Sequence, residues 1–424
     1  MFILVKNILS LYVLQAGTYL IPLITTPYLA CTLGVANFGV LGIATAIMGY
    51  VSLVTDWGFG FTATKEVASH ATDAAALRKI YWNTVLAKAL LCSCTLLMFI
   101  AAVWAIPQWR QMGSILFVAS LSLVTGIFST AWFLQGLEKI VPMATISLVN
   151  RFLSVPMIFA LVHSPEDVIV VVAIGAGLGT ISTVISFFVA NRAVALLPIH
   201  FDIKGACQQI KAGASIFLST AGISLYTQSN IIMIGAVAGP IQAGLYNGAE
   251  KIQRAVIGLI GPVSSAVYPR INNLLVSNPK QSHQLMRITL IAQGLFALCL
   301  SAGMYLTADI GTRLLLGEQY LSAIPIIRCL AALPFLIGVS NVLGINMMFP
   351  FGMNNEVARI TLASGVFNVA MLPLLTYFLG AIGAAISIVL TETFVTVSMA
   401  WVIYANRHVV FKTHQARVSL EHDE

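Results

Sequence analysis

Apolar stretches of about 20 residues follow one another along the chain, each closed by a short polar break, and they do not alternate residue by residue. A helix needs about 20 apolar residues to cross the hydrocarbon of a bilayer, whereas a barrel strand takes about ten in alternation. Spans drawn on this criterion fall near residues 8–30, 38–61, 83–106, 113–136, 141–163, 167–190, 213–236, 244–268, 287–308, 323–347, 357–378 and 380–403. The pattern predicts an all-α polytopic membrane protein with about twelve transmembrane helices.

These spans form two sets of six on either side of the polar connection 191–212. The expected organisation is an N-terminal six-helix lobe over 1–195, a cytoplasmic inter-lobe linker over 196–212, a C-terminal six-helix lobe over 213–404 and a cytoplasmic tail over 405–424. The halves also resemble each other. LGVANFGVLGIA at 33–44 aligns with AGPIQAGLYNGA at 238–249, placing Gly39 on Gly244 at an offset of 205. A parallel repeat of this kind implies a pseudo-two-fold axis along the membrane normal and a central cleft between the lobes.

Charge sets the expected orientation. By this span assignment Lys6, Lys65, Arg78, Lys79, Lys139, Arg192, Lys204, Lys211, Arg270, Lys280, Arg407, Lys412 and Arg417 share one side, against Arg110 and Arg313 on the other. Both termini are therefore expected in the cytoplasm. The opposite loops, such as 164–167 and 311–322, leave no room for a folded catalytic domain.

Composition agrees, with 58% hydrophobic and 9% charged residues and a mean hydropathy of +0.92, where a soluble domain carries roughly 25% charge. The net charge of +7 is accounted for by the inside loops, so no nucleic-acid partner is expected. Cys31, Cys92, Cys94, Cys207, Cys299 and Cys329 lie mostly in or beside spans without zinc-like spacing and are expected to be reduced packing residues.

Charges within the spans are the informative exceptions, because each costs about 2.5–3.5 kcal/mol on insertion scales and normally faces a partner or a wet cavity. YNGAEKIQRA at 246–255 places Glu250, Lys251 and Arg254 in the eighth span. Glu250 and Arg254 stand four apart and can pair, which leaves Lys251 as a local positive excess. Their repeat equivalents are Thr45, Ala46 and Gly49, so the fold itself does not require the charges. Arg151 falls mid-span in the fifth. The first helix of each half adds a polar stripe, Gln15, Thr18, Tyr19 and Pro22 in one and Ser215, Ser219, Gly222 and Tyr226 in the other. Such a stripe lines a wet cleft or supplies hydrogen bonds between helices.

The expected lining of an anion-accepting cleft is thus Arg151, Lys251, Arg254, Gln15, Tyr19 and Tyr226. Pro22 and Pro27 are expected to kink the first helix. Glu392, Glu250 and Asp56 are the candidates for ion coupling, since a carboxylate in low dielectric can exchange its charge for a proton. Asp56 is also placed to pair with Lys65, and Lys88, Arg287 and Arg359 to snorkel from span ends. The sequence carries no GxxxxGK[ST] loop, no GxSxG elbow and no His/Cys metal set, so neither cofactor nor metal nor enzymatic step is expected. Gly175, Gly177 and Gly179 read as close helix packing and not as a phosphate loop.

TDWGFGFTATKEVA at 55–68, WFLQGLEK at 132–139, NGAEKIQRA at 247–255 and VYPRI at 267–271 together resemble the bacterial O-antigen flippases. These are the polysaccharide transporters of the multidrug, oligosaccharidyl-lipid and polysaccharide exporter superfamily. The resemblance runs over about residues 8–404. It implies two six-helix lobes around a cleft that opens alternately to each face of the bacterial inner membrane. It implies as cargo an undecaprenyl-diphosphate-linked oligosaccharide, moved from the cytoplasmic to the periplasmic leaflet through a cationic lumen with ion coupling. The polysaccharide polymerase and the chain-length regulator are the partners it implies, beside membrane lipid. Arg151, Lys251 and Arg254 are the charges that match that lumen. The alternative is a multidrug or organic-cation antiporter of the same superfamily, whose cleft should be acidic where this one is basic.

Overall fold

The computed structural model describes the backbone of residues 2–199 and 201–407, and the side chains of 21–407 except residues 200, 219, 223, 225 and 226. Among the described residues every regular element is helical. Apolar surface is distributed opposite to that of a water-soluble protein. Leu97, Met98, Trp104, Phe117, Tyr377, Phe378 and Trp401 face outward, while Asn83, Thr84, Lys88, Gln293 and Asn368 are buried. Apolar surface on this scale suits lipid and is not tolerated in water. Eight helical segments among the described residues are long and apolar enough to cross a bilayer.

The chain divides into two compact units, Tyr28–Gly244 and the pair Met1–Pro27 with Leu245–Glu424. The Tyr28–Gly244 unit takes the second half of α1 (Phe2–Asp56), then α2 (Phe59–Ser69), α3 (Ala74–Ala105), α4 (Pro107–Gln111), α5 (Gly113–Ile127), α6 (Ala131–Gly136), α7 (Ile140–Leu161), α8 (Val168–Val194) and α9 (Ile203–Val237). It also holds the start of α10 (Gly239–Ile257).

A glycine, not a proline, makes the non-helical break in α1. The helix runs through Pro22 and Pro27 and breaks at Gly34, where φ is 72° and ψ is 169°. A proline removes one donor from the ladder, whereas this left-handed conformation interrupts the ladder and is open at little cost only to glycine. Gly239, its equivalent at the offset of 205, has φ of 83° and begins α10. Five residues on, the repeat becomes a contact. A Cβ on Gly39 would lie 2.0 Å from Pro240 O, and one on Gly244 would lie 1.9 Å from Val35 O. Residues 35 and 240 are themselves equivalent, so the contact maps onto itself as a two-fold relation requires. Gly175, Gly177 and Gly179 behave differently, because a Cβ at any of them meets no heavy atom within 4 Å. They are not packing sites.

Residues 195–209 are tied to α2 and α3. Trp82 Nε1 donates to Leu196 O at 2.8 Å, Arg78 Nε to Ala195 O at 3.1 Å, and Gln209 donates to the Glu66 carboxylate. Asp202 caps α9 by accepting from Lys204 N at 3.0 Å and pairs with Lys79 at 3.6 Å. The Gly205 N–H, then that of Lys204, and the Lys79 ammonium hold the Asp202 carboxyl below the usual carboxylate range.

The second unit continues with α11 (Gly261–Ser277), α12 (Pro279–Leu306), α13 (Ala308–Leu315), α14 (Ile324–Leu330), α15 (Leu333–Asn341), a π-helical turn at Val342–Met348, and α16 (Asn354–Ala405). Val267, Ile271, Met286, Met348 and Met399 belong to its apolar core. Polar groups inside it bond across helices: Ser264 Oγ donates to Gln293 Oε1 at 2.9 Å, and Gln293 Nε2 donates to Gly338 O at 3.0 Å. Such bonds satisfy groups that neither lipid nor an apolar core could. α16 breaks at Gly380, with φ of 59°, between the two spans drawn at 357–378 and 380–403. Of the six cysteines only Cys92 is fully buried, so most do not pack a core as expected.

Candidate functional site: a basic cavity beside α10

The burial pattern of α10 positions its charges. Residues 243–249 are buried without a break, so the middle of α10 is enclosed on every side, and burial becomes partial from Glu250 onward although Gln253 is still buried. Gly248 lets Leu316 and Tyr320 come close to the helix. Past that enclosed stretch Glu250 and Lys251 are partly buried and Arg254 is exposed. Arg254 Nη2 lies 2.9 Å from Glu250 Oε1, across one helical turn. Lys251 has no carboxylate within 4 Å among the described residues, so the local balance is one positive charge in excess.

That excess faces a cavity of about 180 Å³. Its walls are Lys251, Ile252, Arg254 and Ala255 from α10, Pro22, Leu23, Thr26 and Pro27 from α1, and Leu315 and Leu316 at the end of α13. Every one of these residues belongs to the same unit. With mostly apolar walls, the effective dielectric is low and an anion is drawn more strongly than in water. The volume is below the roughly 300–1,000 Å³ of pockets that enclose a whole organic ligand. The cavity therefore suits a compact anionic group better than a chain of sugars.

The other expected site residues lie elsewhere or outside the description. The side chains of Gln15, Tyr19 and Tyr226 lie outside the described residues. Arg151 sits partly buried on α7, whose residues are largely exposed, and it belongs to the Tyr28–Gly244 unit. Glu392 is buried on α16 beside Thr391, which accepts from Asn368 Nδ2 at 3.1 Å. Its carboxylate has no ion-pair partner within 4 Å among the described residues.

Asp56 pairs with Lys88 at 2.8 Å and not with Lys65, which is exposed on α2. Lys88 is not snorkelling. It follows Thr84 by one turn on the inner face of α3 and is only 3% exposed. Sequence reasoning missed this pair because 32 residues separate the partners and nothing periodic links them. Among the described residues no group of three His, Cys, Asp or Glu side chains converges to hold a metal.

Comparison with known proteins agrees with this architecture. Residues 4–275 match a family described as polysaccharide biosynthesis protein. A protein of Escherichia coli (strain K12) that bears the name of an O-antigen transporter is 30% identical over 405 residues, covering 96% of this chain and 98% of that one. Among solved structures, the lipid II flippase MurJ in an inward closed conformation superposes with a TM-score of 0.70 at 12% identity, covering 93% of this chain and 87% of its own. An inward-facing multidrug resistance MATE family transporter of the MOP superfamily gives 0.67 at 16% identity, covering 94% and 95%. Likeness at those identities establishes the fold alone. The chain belongs to the polysaccharide biosynthesis protein family, a family of multi-pass membrane transporters, and has the all-helical fold of the MOP superfamily.

Proposed function

We propose that this protein is a flippase that moves undecaprenyl-diphosphate-linked O-antigen units from the cytoplasmic to the periplasmic leaflet of the bacterial inner membrane by alternating access. The observation that carries this reading is the cavity in which Lys251 and Arg254 meet with one positive charge in excess. The name of the Escherichia coli relative supplies the cargo class. A diphosphate is costly to strip of water unless charges replace that water. Lys251 offers a compact ammonium, and Arg254 a planar fork that can hold two phosphate oxygens at once. The polyprenyl tail stays in lipid throughout.

The lobes that exchange in this cycle are the repeat halves, 1–195 and 213–404, joined by 196–212, with both termini in the cytoplasm. Glu392 leads the candidates for ion coupling, followed by Glu250 and Asp56, and Arg151 joins the cationic lining. The polymerase and the chain-length regulator of the same pathway are the protein partners. A multidrug cation antiporter on the same fold is disfavoured by the sign of the charge, because an excess cation repels a cationic drug. Deleting the gene should abolish surface O-antigen and leave lipid-linked oligosaccharide in the cytoplasmic leaflet. Surface polysaccharide that persists unchanged in the deletion strain would refute the reading.

A further inference from the structure

The Tyr28–Gly244 unit holds a second cavity, of about 400 Å³, whose chemistry differs from that of the first. Asp56 at the end of α1, Gly60 on α2, Lys88 on α3, and Ser129, Trp132 and Gln135 in and beside α6 line it. Lys88 is buried with its ammonium 2.8 Å from Asp56 Oδ1, and the Asp56 side chain is 64% open, so the pair brings no net charge. Trp132 is 5% exposed, and its indole N–H is buried without a hydrogen-bond partner. Its ring is fixed, stacked at 14° on Tyr81 and set edge-on to Phe133. Buried indole donors normally find an acceptor, and one left open in a native structure calls for an explanation.

The groups around this space fit one kind of ligand. Lys88 and Trp132 donate, Asp56 accepts, and the Ser129 hydroxyl and the Gln135 amide do both. A hydroxyl-rich neutral molecule answers all of them, since each of its hydroxyls also donates and accepts. A phosphate would meet the open Asp56 carboxylate, and an organic cation would meet Lys88. The volume lies within the roughly 300–1,000 Å³ of pockets that enclose small organic ligands. We propose that this cavity is a binding subsite for a neutral sugar residue of the cargo, which takes the Trp132 N–H as a donor when the covered indole edge opens to it. The inference rests on the flippase reading and adds where the sugar is recognised.

Two variants test it without disturbing the ion pair. Trp132→Phe removes the N–H and keeps a ring against Tyr81. Gly60→Leu adds bulk at a residue that lines the cavity and has room for a side chain, since a Cβ there meets no heavy atom within 4 Å. The purified full-length protein is titrated with two probes, undecaprenyl diphosphate and the lipid-linked oligosaccharide extracted from the deletion strain. Wild type should prefer the sugar-bearing lipid. Trp132→Phe should cut that preference about fivefold, the worth of one neutral hydrogen bond, and Gly60→Leu should cut it at least as much. Binding of undecaprenyl diphosphate should be unchanged in both, which also reports that the variants are folded. A preference that survives in both variants, or an equal loss of both lipids, would overturn the subsite. A wild-type protein that prefers the bare diphosphate would do the same while leaving the flippase reading intact. A wild type that binds neither lipid would overturn the flippase reading and the subsite with it.

Discussion

Lys251 and Arg254 share a cavity, yet their neighbours set them different tasks. Arg254 is held by Glu250 at 2.9 Å, whereas no described carboxylate reaches Lys251. Replacing either cation by alanine removes the excess charge, so Lys251→Ala and Arg254→Ala should each lower O-antigen export at least tenfold while the protein still reaches the membrane. A charge-assisted hydrogen bond contributes about 1.5–3 kcal/mol, which sets that scale. Arg254→Lys keeps charge without the fork and should retain part of the activity. The double change Glu250→Ala with Arg254→Ala restores the charge balance but not the fork. It should stay impaired in the same export measurement, and full rescue would exclude Arg254 from contact with the cargo. Asp56→Ala makes a separate prediction, because it strands a buried ammonium. The loss should be about 2 kcal/mol, below the 3–5 of a fully enclosed pair because Asp56 is open, and a lower denaturation midpoint in detergent would show it. The α10 charges could be read in the sequence because any charge in a long apolar run is conspicuous. Lys88 could not, since its role depends on a partner that only the fold brings near.

At the scale of helices, composition marks glycine but not its use. Gly175, Gly177 and Gly179 look like a packing motif in sequence, yet they border open space on α8. Gly39 and Gly244 look unremarkable apart from their repeat alignment, and they let the backbones of α1 and α10 approach closely. Gly39→Ala and Gly244→Ala should therefore each destabilise the protein by about 1–3 kcal/mol, the usual cost of overpacking. Gly175→Ala should leave the denaturation midpoint unchanged or slightly raised, since alanine favours the helix. Equal midpoints for all three variants would deny the two-fold contact. Nor did the prolines of α1 point to its glycine break. A proline bends a helix by subtraction, but the sharp turn in α1 needs a left-handed residue, and Gly34 supplies it.

For the molecule as a whole, an all-helical membrane fold was legible because hydrocarbon thickness fixes span length and the low charge leaves no soluble alternative. The details of the second cavity were not, since Lys88, Trp132 and Asp56 come from three separate helices. Orientation can be tested directly. Reporter fusions after Asn191 and Arg407 should score cytoplasmic and one after Glu166 periplasmic, and a periplasmic score at Arg407 would contradict an even number of spans. The most direct test of the account is translocation itself. Purified protein is reconstituted into vesicles with lipid-linked oligosaccharide in the leaflet corresponding to the cytoplasmic side, under an imposed proton or sodium gradient. Appearance of the oligosaccharide in the other leaflet is then followed by lectin or enzymatic access. Wild type should move it in a gradient-dependent way, and Lys251→Ala should move it at least tenfold more slowly. Vesicles in which wild-type protein transfers no more lipid than protein-free controls, or in which Lys251→Ala is indistinguishable from wild type, would contradict the account.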